Sequence, residues 1–270
     1  MNSILNRRQV GLLAGMLLGA AVCSANARAQ VAEARAQLAP TGTLRVVLLP
    51  LPIIATKDAI GALAGVPVDL SRELAKRLGI PVEFKAMDNP AATVDAVKNG
   101  DADLTFLVNL PARAAFIDFG PAYVGYGASY LVPANSPIKS MAEIDQPGRR
   151  IIVPEKSAID AKLGQVLKQA KLIGIPIGPT QTQTASEMLA RNEGEAYSDL
   201  HHLLALMQSQ LPGSKILDGS YMTTELQIAY GKGKPAAAKL ATDFITEMKG
   251  NGFLKGAIER AGLQGAKVPE

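Results

Sequence analysis

Few residues of this 270-residue chain combine a type and a spacing that could do chemistry. Arg113, in the turn Pro111-Ala112-Arg113, carries a planar fork of donors that fits a carboxylate with two parallel hydrogen bonds. In a turn it could equally be a solvated surface arginine. Ser157, in Glu155-Lys156-Ser157-Ala158, stands between a predicted strand and a long predicted helix, where a serine caps the exposed N–H groups. Asp199 precedes another predicted helix and could cap it in the same way. His201 and His202 are adjacent, so on a helix their rings point about 100° apart and cannot close on one metal. The sequence has no third histidine, and no metal site is expected. Ser157 has no evident His–Asp relay, so no catalytic residues are assigned. Gly231-Lys232-Gly233-Lys234 lacks the spacing of a phosphate loop, and no cofactor is expected.

The N-terminus has the form of an export signal. Arg7 and Arg8 are followed by an apolar run, Val10 to Val22, and by alternating small residues in Ala25-Asn26-Ala27-Arg28-Ala29. This pattern places cleavage near Ala29, with Ala27 as the other position, and makes residues 1–29 a signal peptide. The run is shorter than the ~20 residues a permanent transmembrane helix requires. The paired arginines fit a twin-arginine signal as well as an ordinary secretory one. Cys23 would be lipidated only in a lipoprotein signal, and Val22 is bulkier than the residue such a signal places before its cysteine.

Removing the signal changes the chemistry of the rest. The whole chain has 28 basic and 24 acidic residues. Residues 1–29 hold three arginines and no acid, leaving 25 basic against 24 acidic. The basicity that would suggest nucleic acid therefore belongs mostly to the signal, and no nucleic-acid partner is expected. Cys23 is the single cysteine, so the mature chain can form neither disulfides nor thiolate sites.

The elements that must position the candidates alternate short β-rich runs with helical periods, an α/β pattern with a largely parallel sheet. Strands are predicted over 44–49, 82–86, 103–107, 129–132 and 150–153. Helices are predicted over 69–78, 91–99, 157–170, 185–192, 200–208, from Pro235 to Gly250, and over 253–261. Gly79 and Gly250 stand at helix stops. The Ala-rich stretch from Val31 to Pro40 reads as low-complexity sequence following the signal.

From Gly61 to Tyr123 the sequence resembles family 3 of the extracellular solute-binding proteins. The matching residues are Gly61, Gly65-Val66-Pro67-Val68-Asp69-Leu70 and Glu73-Leu74-Ala75-Lys76-Arg77-Leu78-Gly79. They continue with Gly100-Asp101-Ala102-Asp103, Arg113-Ala114, and Ile117-Asp118-Phe119-Gly120-Pro121 with Tyr123. Their order and spacing carry the likeness, which extends faintly to the C-terminus. The resemblance implies the two-lobed periplasmic-binding-protein type II fold, with ligand in the interlobe cleft and two crossover strands as hinge. Lobe one would comprise 41–125 plus 227–270, and lobe two 126–226.

The resemblance also assigns a ligand-binding site. Arg113 matches the arginine that grips a ligand's α-carboxylate. Ser157 matches the serine of a Gly-Ser-Thr-like turn whose N–H groups hold the same carboxylate; here Lys156 replaces the glycine and Ala158 the threonine. Asp199 falls near the carboxylate that receives a ligand's ammonium. The family's aromatic sandwich is replaced by Leu51 and Asn89, and polar residues that help hold the ammonium by Leu48, Phe106 and Val108. Leu51, Phe106 and Val108 would therefore present apolar surface to the ligand. The chain is expected to be a monomeric, non-enzymatic periplasmic component of an ABC importer that captures a small carboxylate-bearing solute and hands it to a membrane permease. The departures favour an apolar or weakly polar remainder over a small polar amino acid. The alternatives are an enzyme of the same fold, like cyclohexadienyl dehydratase, and a ligand-sensing module.

Overall fold

The computed structural model describes residues 29–57 and 60–270; the signal peptide read over residues 1–29 lies, but for Ala29, outside them. Helix α1 covers residues 29–38 and buries Ala34 and Leu38. The Ala-rich stretch is thus a packed helix. Its Gln37 Oε1 accepts from the N–H groups of Ala236 and Ala237, capping from outside a later helix that lacks a side-chain cap of its own.

The first β/α series follows: β1 (Leu44–Leu48), a small hairpin of β2 (Thr56–Lys57) and β3 (Leu63–Ala64), α2 (Val66–Leu78), β4 (Val82–Ala86), α3 (Pro90–Lys98), β5 (Leu104–Val108) and the short α4 (Pro111–Ala114). Helix α2 starts at Gly65, whose φ of 141° brings its Cα against the Ile54 carbonyl, where a Cβ would collide. It stops at Gly79 in the left-handed region, as the sequence indicates. Strands β4, β1 and β5 lie side by side and parallel. Asp103, in the Gly-Asp-Ala-Asp run, is buried, and its carboxylate accepts from the Arg45 backbone N–H at 2.9 Å. The Arg45 guanidinium adds bonds at 3.0 and 2.6 Å. That aspartate fastens β1 to β5 and stands away from the interlobe cavity described below.

Strand β6 (Ile117–Val132) then runs 16 residues. The sequence suggests only its last four residues as strand, because Gly120, Pro121, Gly125 and Gly127 interrupt the apolar pattern. Each interruption falls where the sheet tolerates it. Pro121 sits at a β-bulge, where the partner register slips between Phe119 and Ala122, so its missing N–H breaks no ladder bond. A Cβ on Gly127 would strike the Ser220 side chain.

A second series comprises β7 (Arg150–Pro154), α5 (Ala158–Val166), β8 (Lys171–Ile175), α6 (Gln181–Ala190), β9 (Ala196–Leu200), α7 (His201–Gln210) and the short β10 (Lys215–Ile216). Strands β9, β7 and β8 are parallel neighbours. The helix predicted to reach Ala170 ends at Val166, because Asp145 draws the chain out of the helix by accepting from the N–H groups of Lys168, Gln169 and Ala170. Strand β11 (Met222–Gly231) returns the chain to the first series, followed by α8 (Pro235–Gly250), α9 (Phe253–Arg260) and β12 (Ala266–Lys267).

Strands β6 and β11 join the halves. The sheet order is β4-β1-β5-β11-β6-β9-β7-β8, with β11 and β6 antiparallel between two parallel triplets. Residues 117–128 of β6 pair with β11, and its last residues, 128–132, reach β9 and β10. The result is a two-lobed α/β fold with a curled sheet, and among the described residues no helix is long and apolar enough to cross a membrane.

Candidate functional site

In open α/β sheets ligands bind beyond the carboxyl ends of the parallel strands. Here those ends face one another across a narrow cavity of about 70 Å³. The first lobe contributes Leu49, Leu51, Ile53 and Ile54 after β1, Leu107 and Val108 at the end of β5, and Arg113 from α4. The second contributes Pro154 at the end of β7, Ser157 to Ile159 at the start of α5, Gln181 at the start of α6, and Asp199 and Leu200 at the end of β9. Thr224 and Leu226 enter from the crossover strand β11. An outer cleft of about 470 Å³ lies against it, with Pro90, Arg113 and Ile177 lining both.

Among the described residues Arg113 and Asp199 are the only charged side chains lining the inner cavity. Pro111 at the first turn of α4 sets the helix that carries Arg113, and one guanidinium nitrogen donates back to the Val108 carbonyl at 2.9 Å. Among the described residues no acidic side chain pairs with it. Burial alone pushes its pKa down to about 10, which still leaves it cationic near neutrality. A cation held against apolar walls without a counter-ion is a costly arrangement that an incoming anion relieves.

Ser157 is the N-cap of α5, its Oγ accepting from the Asp160 N–H at 3.1 Å, and it also lines the cavity. Lys156 has φ 55°, the left-handed region in which a glycine costs nothing. Its backbone N–H donates to the Asp160 carboxylate at 2.8 Å, which holds the turn despite the strain. Replacing Lys156 by glycine removes roughly 1–2 kcal/mol of strain and adds somewhat less unfolded-state entropy. Urea unfolding of Lys156→Gly is therefore expected to show a gain of about 0.5 kcal/mol.

Asp199 is buried and already partnered. Its Oδ2 accepts from the Tyr197 hydroxyl and from Gln181 Nε2, and its Oδ1 accepts from the Leu200 N–H at 2.8 Å. It is not the cap of α7: it lies within β9, and Leu200 holds the cap position. Burial raises its carboxyl to about 6 against the opposing pull of these donors.

Leu51 and Val108 form part of the apolar wall. Phe106 does not line the cavity: it packs edge to face on Tyr123, ring centres 5.2 Å apart, on a strand whose next two residues do reach the cavity. Asn89 caps α3 by accepting from the Ala92 N–H, at the outer cleft. The histidines separate, as adjacency requires. His201 contacts the Gly219 carbonyl and the Ser220 hydroxyl. His202, also on α7, is buried, accepts from the Gln264 N–H, and has its pKa lowered by burial.

Sequence reasoning missed Gln181 and Thr224. The helix predicted to begin at Ala185 begins a turn earlier, because Gln181-Thr182-Gln183-Thr184 offers no apolar periodicity although Pro179-Thr180 gives a start signal. Thr224 carries no motif and reaches the cavity through the path of β11 alone.

Residues 45–262 match the bacterial extracellular solute-binding proteins, family 3. The chain belongs to that family. Among solved structures, this family 3 protein is similar to the solute receptor for L-cysteine of Neisseria gonorrhoeae, 25% identical with a TM-score of 0.71, over 86% of this chain and 94% of that one. An ancestral amino-acid-binding protein, described as a precursor of cyclohexadienyl dehydratase, shares the fold at 23% identity and a TM-score of 0.68, over 82% and 96% of the two chains. A membrane-bound lytic murein transglycosylase F of Actinobacillus succinogenes is 28% identical over 120 residues, or 43% of this chain. The matched stretch spans about a quarter of that enzyme's length, 24%.

Proposed function

We propose that this family 3 protein is the periplasmic substrate-binding component of an ABC importer, exported by the N-terminal signal and working as a monomer. It captures a small carboxylate-bearing solute, an amino acid or related organic acid with an apolar remainder, and presents it to a permease in the inner membrane. Lobe one comprises 41–125 and 227–270, lobe two 126–226, and they close on the ligand about β6 and β11. The observation that carries this reading is Arg113, a cation without an acidic partner among the described residues, on the wall of an apolar interlobe cavity. Opposite it, the N-terminus of α5 at Ser157 adds N–H donors and a positive helix end. Leu51 and Val108 pack the ligand's apolar part, and Asp199 completes the polar side.

The test is a thermal-shift screen of residues 30–270 against amino acids, aromatic acids and short carboxylates. A ligand at 100 times its dissociation constant stabilises by about 2.7 kcal/mol. A screen in which only non-carboxylates shift the transition contradicts the proposal.

The buried carboxyl of Asp199, raised to about 6 in the cleft, favours one second reading: an acid–base enzyme on the same fold. Incubation with prephenate or arogenate separates the two, since turnover supports the enzyme and intact recovery supports the binding protein.

A further inference from the structure

Helix α7 turns two faces to different spaces. Leu200, at its cap, and Leu203 line the inner cavity, while His202 and Leu206 line a groove of about 600 Å³. The rest of the groove belongs to the first half of the molecule: Ile54, the start of α2 at Gly65 and Val66, and the end of α9 from Arg260 to Leu263. Ile54 lines cavity and groove alike. From α9, which packs on α2 and α8, the chain runs on as a short strap. Gly262 and Gly265, with φ of 62° and 71°, turn it into β12, which pairs with the crossover strand β6 at Gly125 and Tyr126. On the way the Gln264 N–H donates to His202 Nδ1 at 3.1 Å, a hydrogen bond between the strap and α7.

That bond exists in one protonation state. His202 is 6% exposed, and an Nδ1 that accepts requires the neutral imidazole with its proton on Nε2. A second proton would set two donors head to head and leave a charge in a buried place. The charged side chains lining the groove beside it are Asp69 of α2 and Arg260 of α9, which are tied to each other at 2.9 Å. Helix α7 itself carries no carboxylate, and its His201 contacts the Gly219 carbonyl and the Ser220 hydroxyl. Burial accordingly lowers the His202 pKa from its ordinary 6.5.

We infer that His202 is a positioning residue for the inner cavity: its bond to Gln264 straps α7, with Leu200 and Leu203, to the first half, and protonation of the ring releases the strap and lets the halves part. The consequence for a ligand rests on the cavity reading above, whereas the motion does not. The folded protein holds the neutral ring, so the strap is complete above pH 6.5 and is lost as pH falls through the lower folded value. His202→Asn places an acceptor oxygen where Nδ1 stands and cannot titrate, so its strap should hold throughout.

The experiment needs no ligand. The chain from residue 30 has no cysteine, so spin labels on Lys85→Cys of β4 and Lys162→Cys of α5, both exposed, report one distance between the halves. Between pH 7.5 and 4.5 the otherwise wild-type protein is expected to gain a second, longer distance in about half of the molecules or more, while His202→Asn keeps one distance. Asp199 and His201 are present in both proteins, so the difference belongs to His202. A distance that ignores pH, or a His202→Asn protein that opens like wild type, overturns the inference. If His202→Asn does not fold, the wild-type Gln264 amide carries the test. Its hydrogen exchange, corrected for the intrinsic effect of pH, should accelerate about tenfold or more with the midpoint of the His202 ring, and unchanged exchange overturns the inference. A ligand screen without carboxylate hits would contradict the proposed function and leave these results standing.

Discussion

Arg113→Ala is expected to weaken binding of the carboxylate ligand by about a thousandfold, while the protein still folds and unfolds at or above the wild-type temperature. The size follows from what the side chain faces. A charge-assisted pair with a carboxylate in a water-poor cleft, lost from one side, leaves the other charge buried and unpaired, a cost of roughly 3–5 kcal/mol. The preserved stability follows from what the side chain lacks. Among the described residues its one side-chain hydrogen bond is to the Val108 carbonyl, and burial lowers its pKa to about 10 with no acid there to offset the loss of water. Arg113→Lys should not rescue affinity, because an ammonium cannot reproduce the bidentate fork. Calorimetry of the best ligand with each variant, alongside thermal melts without ligand, measures both halves. A variant that binds like wild type, or one that fails to fold, would place Arg113 outside the site.

The second expected result concerns Asp199 and pH. Its folded carboxyl titrates near 6, against an ordinary aspartate value of 3.8, chiefly because burial penalises the charge. A group that holds its proton more tightly folded than unfolded adds stability below its unfolded pKa and loses it as pH rises through the folded value. Between pH 4.5 and 7.5 Asp199 should therefore remove about 2 kcal/mol of stability. Asp199→Asn cannot ionise and should lack this component. The difference between the two unfolding free energies, followed by urea titration across that range, isolates it from the other carboxylates. Parallel pH profiles would mean that Tyr197, Gln181 and the Leu200 N–H stabilise the carboxylate enough to cancel its burial.

Much of the fold was legible because local signals and tertiary structure agree. Gly79 ends α2 in the left-handed conformation, β4 occupies the predicted residues 82–86, and Pro235 opens α8. Strand β6 was not legible, since its glycines and Pro121 read as turn residues and only the bulged pairing with β11 explains them. The site divides along the same line. Arg113, Ser157, Asp199, Leu51 and Val108 line the cavity, and each had a motif position or a substitution to mark it. Phe106 had the right position and the wrong direction, because its ring turns to Tyr123. Gln181 and Thr224 had neither motif nor periodicity, and their place on the cavity wall is visible only with the chain folded.

The most direct test of the central claim compares each acid that stabilises residues 30–270 with its own carboxamide, which keeps the shape and removes the charge. Calorimetry on the wild-type protein should show the acid binding and the amide weaker by a hundredfold or more, since the amide leaves Arg113 without a counter-ion. Equal affinity for acid and amide would contradict the account, because the cavity would then be reading shape and hydrogen bonds with no use for its one cation.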